Sequence, residues 1–84
     1  MQPEVRRRNV TPREREVAEL TVTGLTNNEI GDLLGISGQT VKRHVANLML
    51  KLNVFSRSQI AVAAISRGWA SLPESTDDDE IAKD

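Results

Sequence analysis

The chain has 84 residues, enough for one small domain and one modest core, and a formal net charge of −1. It has no cysteine and a single histidine, which excludes disulfides, thiolate metal sites and a cysteine nucleophile and leaves no metal-ligand spacing. No run of about 20 apolar residues offers a membrane span, no apolar stretch follows Arg6, Arg7 and Arg8 to make a secretory signal, and no glycine-rich loop cradles a phosphate.

The expectation is therefore a cytoplasmic chain that is not an enzyme and takes neither metal nor cofactor. The small net charge conceals an uneven split. Residues 1–69 hold ten Lys and Arg against six Asp and Glu, a net +4, whereas residues 70–84 hold one against six, a net −5. Between Ser37 and Trp69 stand Lys42, Arg43, Lys51, Arg57 and Arg67 with no acidic residue. A basic half within a folded body is the electrostatic footprint of a polyanion partner.

Residues 1–10 lack periodicity and read as a flexible lead-in, with Arg6, Arg7 and Arg8 either near phosphates or simply solubilising. The first helix begins at Thr11-Pro12-Arg13-Glu14. Thr11 caps, Pro12 takes the first turn where its missing N–H costs nothing, and Glu14 completes a capping box. Val17, Ala18, Leu20 and Thr21 give its inner face, Gly24 stops it, and Leu25 turns back into the core. Thr26-Asn27-Asn28-Glu29 opens the second helix with another capping box, and Ile30, Leu33 and Leu34 are expected to face inward. Gly31 lets another segment come close. Gly35 ends the helix in a left-handed conformation, and Ile36 fills the corner.

Ser37 caps the third helix. Val41, Val45, Leu48 and Leu52 step by four, three and four, one apolar stripe at helical period. Gln39, Arg43 and Ala46 point the other way, flanked by Lys42 and Asn47. The outer face thus carries donors and no carboxylate, which suits the DNA major groove. Arg and Lys donate to guanine O6 and N7, and Gln or Asn pairs with adenine. A short helix, a turn around a glycine and a longer helix make a helix-turn-helix. The alternative at this point is an ordinary solvated helix.

The third helix runs to about Leu52 with Asn53 as its cap. Ser56-Arg57-Ser58-Gln59 opens a fourth, which ends near Arg67 before Gly68. This last helix has two apolar stripes, Ile60, Ala63 and Ala64 on one side and Ser58, Ala61, Val62 and Ile65 on the other. So small a domain cannot bury both, so the second is a self-association surface or a patch covered by Trp69 and the tail. Residues 70–84 are acidic and expected to be a disordered tail. The expected fold class is all-α, a four-helix bundle with a central helix-turn-helix over residues 11–69.

Thr11-Pro-Arg-Glu-Arg-Glu-Val17, Gly24-Leu-Thr-Asn-Asn-Glu-Ile30, Leu34-Gly-Ile-Ser37, Thr40-Val-Lys-Arg-His44, Lys51-Leu52 and Ser56-Arg57 together resemble the LuxR-type helix-turn-helix domain. That domain is the output module of many bacterial two-component response regulators and quorum-sensing regulators. The resemblance covers about residues 10–68, in order and spacing. It implies a transcriptional regulator that binds double-stranded DNA, with the third helix in the major groove and a two-fold homodimer through the fourth, formed in solution or only on DNA.

Carried over residue by residue, the resemblance assigns base contacts to Gln39, Lys42 and Arg43, with Ala46 and Asn47 at positions that often reach DNA. It assigns phosphate contacts to Asn28, Thr40, Lys51 and Arg57, and the dimer contact to Ser58, Val62 and Ile65. For His44 it implies a structural or phosphate-adjacent role rather than a switch or a catalyst. A receiver or sensor domain would lie upstream, outside this chain. Four residues depart from the family pattern. Gly31 replaces a usual alanine. Gly38 follows the serine cap, so the first turn of the third helix is expected to be less rigid. Ala46 is shorter than usual, and Leu50 stands where a polar residue is common. The competing readings are a sigma-factor-like promoter-recognition domain and a protein-interaction module. The Lys51-Leu-Asn-Val-Phe-Ser-Arg57 link favours the LuxR type over the first, and the Gln39, Lys42 and Arg43 face is unneeded by the second.

Overall fold

A computed structural model describes residues 9–71. Within them lie four helices, α1 (Pro12–Thr21), α2 (Asn27–Leu34), α3 (Gly38–Leu52) and α4 (Arg57–Ser66), and no strand. Every start is set by a side chain that satisfies an otherwise orphaned backbone N–H. Thr11 Oγ1 accepts from the Glu14 N–H at 3.1 Å while Glu14 Oε1 accepts from the Thr11 N–H at 3.0 Å. Thr26 and Glu29 repeat this reciprocal box at 3.1 and 2.8 Å. Ser37 accepts from the Thr40 N–H at 3.0 Å, and Ser56 from the Gln59 N–H at 3.2 Å. The fourth box closes differently from expectation, because Gln59 Oε1 accepts from the Phe55 N–H at 2.6 Å rather than from Ser56.

Three of the four ends use left-handed residues. Gly35 has φ +74°, Asn53 φ +58° and Gly68 φ +78°. After Asn53, the Val54 N–H bonds Met49 O at 3.0 Å, and after Gly68 the Trp69 N–H bonds Ala64 O at 2.8 Å. These six-to-one closures satisfy carbonyls that the helix end would otherwise orphan.

The five largest fully buried side chains are Val17 from α1, Ile30 from α2, Val41 and Leu48 from α3 and Ile60 from α4. All four helices therefore depend on one core, to which Ala18, Val45 and Ala64 also belong. Truncating one such Leu or Ile removes about 2–5 kcal/mol. α3 is central and packs on each of the other three, α1 also packs on α4, and α2 rests chiefly on α3.

Leu33 does not face inward as expected; it is 65% exposed. The buried residues of α2 are Ile30 and Gly31. Their shared direction lies about 110° from Leu33 at 100° per residue, whereas Leu34 lies almost along it. A glycine on the inner face lets the helix roll towards it, and that roll carries Leu33 outward.

Candidate nucleic-acid interface

The elbow between α2 and α3 is unusually close. The Ile36 N–H bonds Gly31 O at 2.9 Å. A Cβ at Gly31 would lie 2.5 Å from the Ile36 carbonyl oxygen, so this position has no room for one as the backbone stands. Gly38 is packed too, and a Cβ there would run into the Asn28 carboxamide. The glycine expected to loosen the first turn of α3 is instead where the first turn of α2 leans on it.

α3 shows a dry side and a donor side. Val41, Val45 and Leu48 are buried. Gln39, Lys42, Arg43 and Ala46 are exposed and Asn47 is half-buried. At 100° per residue these five fall within about 140° of one another, opposite the buried stripe. Leu50 continues this side at 80% exposure. Asn28 is exposed, and Thr40 is half-buried with its hydroxyl 3.0 Å from that of Ser37. Thr40, Asn28 and the start of α3 therefore share one end of the donor face. His44 is half-buried at the border of the two sides, and its Nδ1 is enclosed with no hydrogen-bond partner among the described residues.

The charge distribution follows the helices. The ion pairs among the described residues are Arg13–Glu16 at 3.0 Å, Arg15–Glu19 at 3.2 Å and Lys51–Glu14 at 2.7 Å. Among the described residues Lys42 and Arg43 pair with no carboxylate. At the third helical position, where α1 and α2 carry Glu14 and Glu29, α3 and α4 carry the neutral Thr40 and Gln59. A carboxylate near a helix N-terminus is worth about 0.3–1 kcal/mol, so the second half forgoes a stabilising charge twice.

Two residues expected on phosphate have work inside the domain. Lys51 Nζ donates to Glu14 Oε1, with side chains only 14% and 4% exposed. In this arrangement its charge is answered by a carboxylate, and it holds the end of α3 on the start of α1. The Arg57 guanidinium donates to Asn27 Oδ1 and to Leu25 O, each at 2.6 Å. Both acceptors are neutral, so Arg57 keeps its charge while tying the start of α4 to the start of α2. Neither bridge was legible in the sequence, where Glu14 reads only as a cap and Asn27 carries no signal.

On α4, Ile60 and Ala64 are buried, Ser58 and Val62 exposed and Ile65 half-buried, so the two stripes lie as expected. Val62 is 65% exposed. Trp69 does not cover it. The guanidinium groups of Arg15 and Arg67 each lie 5.6 Å from the centre of its ring, and it packs on the core. The tail expected beyond it lies, from Leu72 on, outside the described residues.

Comparison with known proteins agrees with the fold. Residues 8–64 match the family described as bacterial regulatory proteins, luxR family. The chain is similar to the transcriptional regulatory protein DegU of Brevibacillus brevis, at 44% identity over 63 residues, 75% of this chain and 27% of that protein. It is similar to the spore germination protein GerE of Bacillus subtilis (strain 168), at 48% identity over 63 residues, 75% of this chain and 85% of that protein. The solved structure of the transcription factor GerE superposes with a TM-score of 0.69 at 38% identity, covering 75% of this chain and 94% of that one. The chain thus matches about a quarter of DegU and most of GerE.

Proposed function

Because this chain belongs to the luxR family of bacterial regulatory proteins, which are DNA-binding transcription regulators and not enzymes, we propose that α3 enters the major groove of double-stranded DNA and reads its sequence. The observation that carries the reading is the exposed donor set Gln39, Lys42 and Arg43, free of carboxylates and backed by a fully apolar side. Gln39 is suited to adenine, and Lys42 and Arg43 to guanine O6 and N7. Ala46 and Asn47 lie further along the same side. Thr40, Asn28 and Arg57 meet phosphates and fix the register. Two copies meet through Ser58, Val62 and Ile65 of α4, in solution or only on DNA. A receiver or sensor segment beyond these 84 residues supplies the signal, and the site of action is the bacterial cytoplasm, where the DNA is.

Selection of bound sequences from a random duplex pool tests the reading. The parent should enrich one sequence pattern, and Arg43→Ala should relax it at about one base pair with a loss of ~1–3 kcal/mol. A pool that shows no enrichment, or the same preferred sequence for both proteins, counts against α3 as the reading helix.

A further inference from the structure

We propose that the acidic segment Glu74–Glu80 of this chain docks on the donor face of α3 and competes there with DNA. The proposal rests on the reading of that face given above and adds a regulator to it. From Leu33 to Pro73 the sequence has no Asp or Glu and carries Lys42, Arg43, Lys51, Arg57 and Arg67. Five carboxylates then follow within seven residues, Glu74, Asp77, Asp78, Asp79 and Glu80. The same chain that omits carboxylates from the caps of α3 and α4 concentrates them immediately after the fold. Lys51 is already answered by Glu14, while Lys42 and Arg43 have no acidic partner among the described residues. Arg57 and Arg67 also lack an acidic partner among the described residues, but Arg57 is engaged by Asn27 and Leu25 and Arg67 by Trp69. The positive charge with no partner of either kind therefore sits on α3, the surface proposed for DNA, and the run of carboxylates is a polyanion tethered to it by the chain.

The reach is sufficient. Trp69 is pinned to the body by Arg15 and Arg67, so the segment leaves from a fixed point. The eight residue steps from Ser71 to Asp79 extend to about 26–29 Å. A folded body of some 60 residues is about 27 Å across and α3 is about 22 Å long, so the extended segment spans roughly one body width. A segment tethered this closely acts at an effective concentration in the millimolar range. Weak carboxylate–guanidinium contacts suffice at that concentration, and salt dissolves them as it dissolves protein–phosphate contacts.

The test uses the full chain with the segment neutralised, Glu74→Gln, Asp77→Asn, Asp78→Asn, Asp79→Asn and Glu80→Gln together. Without DNA, at about 50 mM salt, the backbone amide signals of Lys42, Arg43 and their α3 neighbours should differ between parent and variant, and should converge as salt is raised. With duplex DNA, the variant should bind several-fold more tightly at low salt, with no gain at about 200 mM, and with a steeper salt slope than the parent. Unchanged α3 amides at low salt overturn the docking, even where affinity rises, because the segment then acts only by distant repulsion. A gain of equal size at both salts overturns it as well. Failure of either protein to bind any duplex would instead sink the DNA reading, while the amide comparison still decides whether the segment docks.

Discussion

Lys51 Nζ lies 2.7 Å from Glu14 Oε1, joining the last turn of α3 to the first turn of α1 across 37 residues of sequence. The same carboxylate oxygen accepts from the Thr11 N–H at 3.0 Å, so one atom serves a helix cap and a tertiary ion pair. The pair is almost enclosed, and its two members depend on each other. Removing one partner of a buried pair leaves the other charge without compensation, a loss of about 3–5 kcal/mol. Lys51→Met should therefore lower unfolding free energy in urea by about 3 kcal/mol, near the low end of that range because Lys51 keeps some water. Glu14→Gln with Lys51→Met removes both charges and keeps an oxygen for the Thr11 N–H, so the double variant should recover most of the loss. A double variant no more stable than Lys51→Met would show that the charges are not coupled.

The same pair fixes a pH dependence. Burial alone would raise the Glu14 carboxyl above its ordinary value, but the Lys51 hydrogen bond, the Thr11 amide and the Lys51 charge outweigh it and hold the group low. A carboxyl lowered in the folded state binds fewer protons there than in the unfolded chain. Its stabilisation is complete above the unfolded value, near pH 4.5, and is lost as pH falls through the folded one. Thermal melts of the parent should hold steady from neutral pH to about 5 and then decline. Glu14→Gln should start lower and decline less over that acid range. Parallel curves for the two proteins would assign the acid loss to other carboxylates.

What was legible in the sequence was local chemistry. Thr11, Thr26, Ser37 and Ser56 each cap the helix they announce, because a cap joins residues two or three apart and needs nothing from the rest of the chain. The periodic stripe of α3 gave its buried side for the same reason. The bridges Lys51–Glu14 and Arg57–Asn27 were not legible, since they exist only once α3 and α4 have been set against α1 and α2. Leu33 was misread because three apolar residues on an eight-residue helix look alike in sequence, and only the approach of Ile36 to Gly31 decides which way the helix rolls. The donor set of α3 could be placed on the outer side, but its freedom from ion pairs, against the engagement of Lys51, needed the fold.

Gly31 offers a test of that approach. Alanine is favoured over glycine inside a helix by about 0.8–1 kcal/mol. Here its methyl would press on the Ile36 carbonyl, which is backbone and part of the turn leading to Ser37. Overpacking of this kind is worth about 1–3 kcal/mol against the fold, so Gly31→Ala should come out net destabilising, by roughly 1 kcal/mol. The readout is the thermal midpoint with hydrogen exchange of α2. A higher midpoint for Gly31→Ala would mean that the elbow opens without strain.

Val62 decides the oligomeric reading. It lies on the side of α4 away from Ile60 and Ala64 and is 65% exposed, so the monomer core does not need it. If two copies meet through Ser58, Val62 and Ile65, a C₂ axis brings each Val62 near its own copy, and any charge placed there faces a like charge. Such a dimer presents two third helices to half-sites about one helical turn apart, roughly 10 bp. Val62→Glu should keep the circular dichroism and urea midpoint of the parent, because exposed substitutions away from special features stay within about 0.5 kcal/mol. It should still bind a single half-site, since Gln39, Lys42 and Arg43 are untouched. It should lose cooperative binding to a duplex carrying two half-sites, seen as a Hill coefficient falling to one. An unfolded Val62→Glu would return Val62 to the core, contrary to its exposure. A folded variant that still fills both half-sites cooperatively would move the two-fold contact away from α4, towards surfaces such as the 86% exposed Phe55.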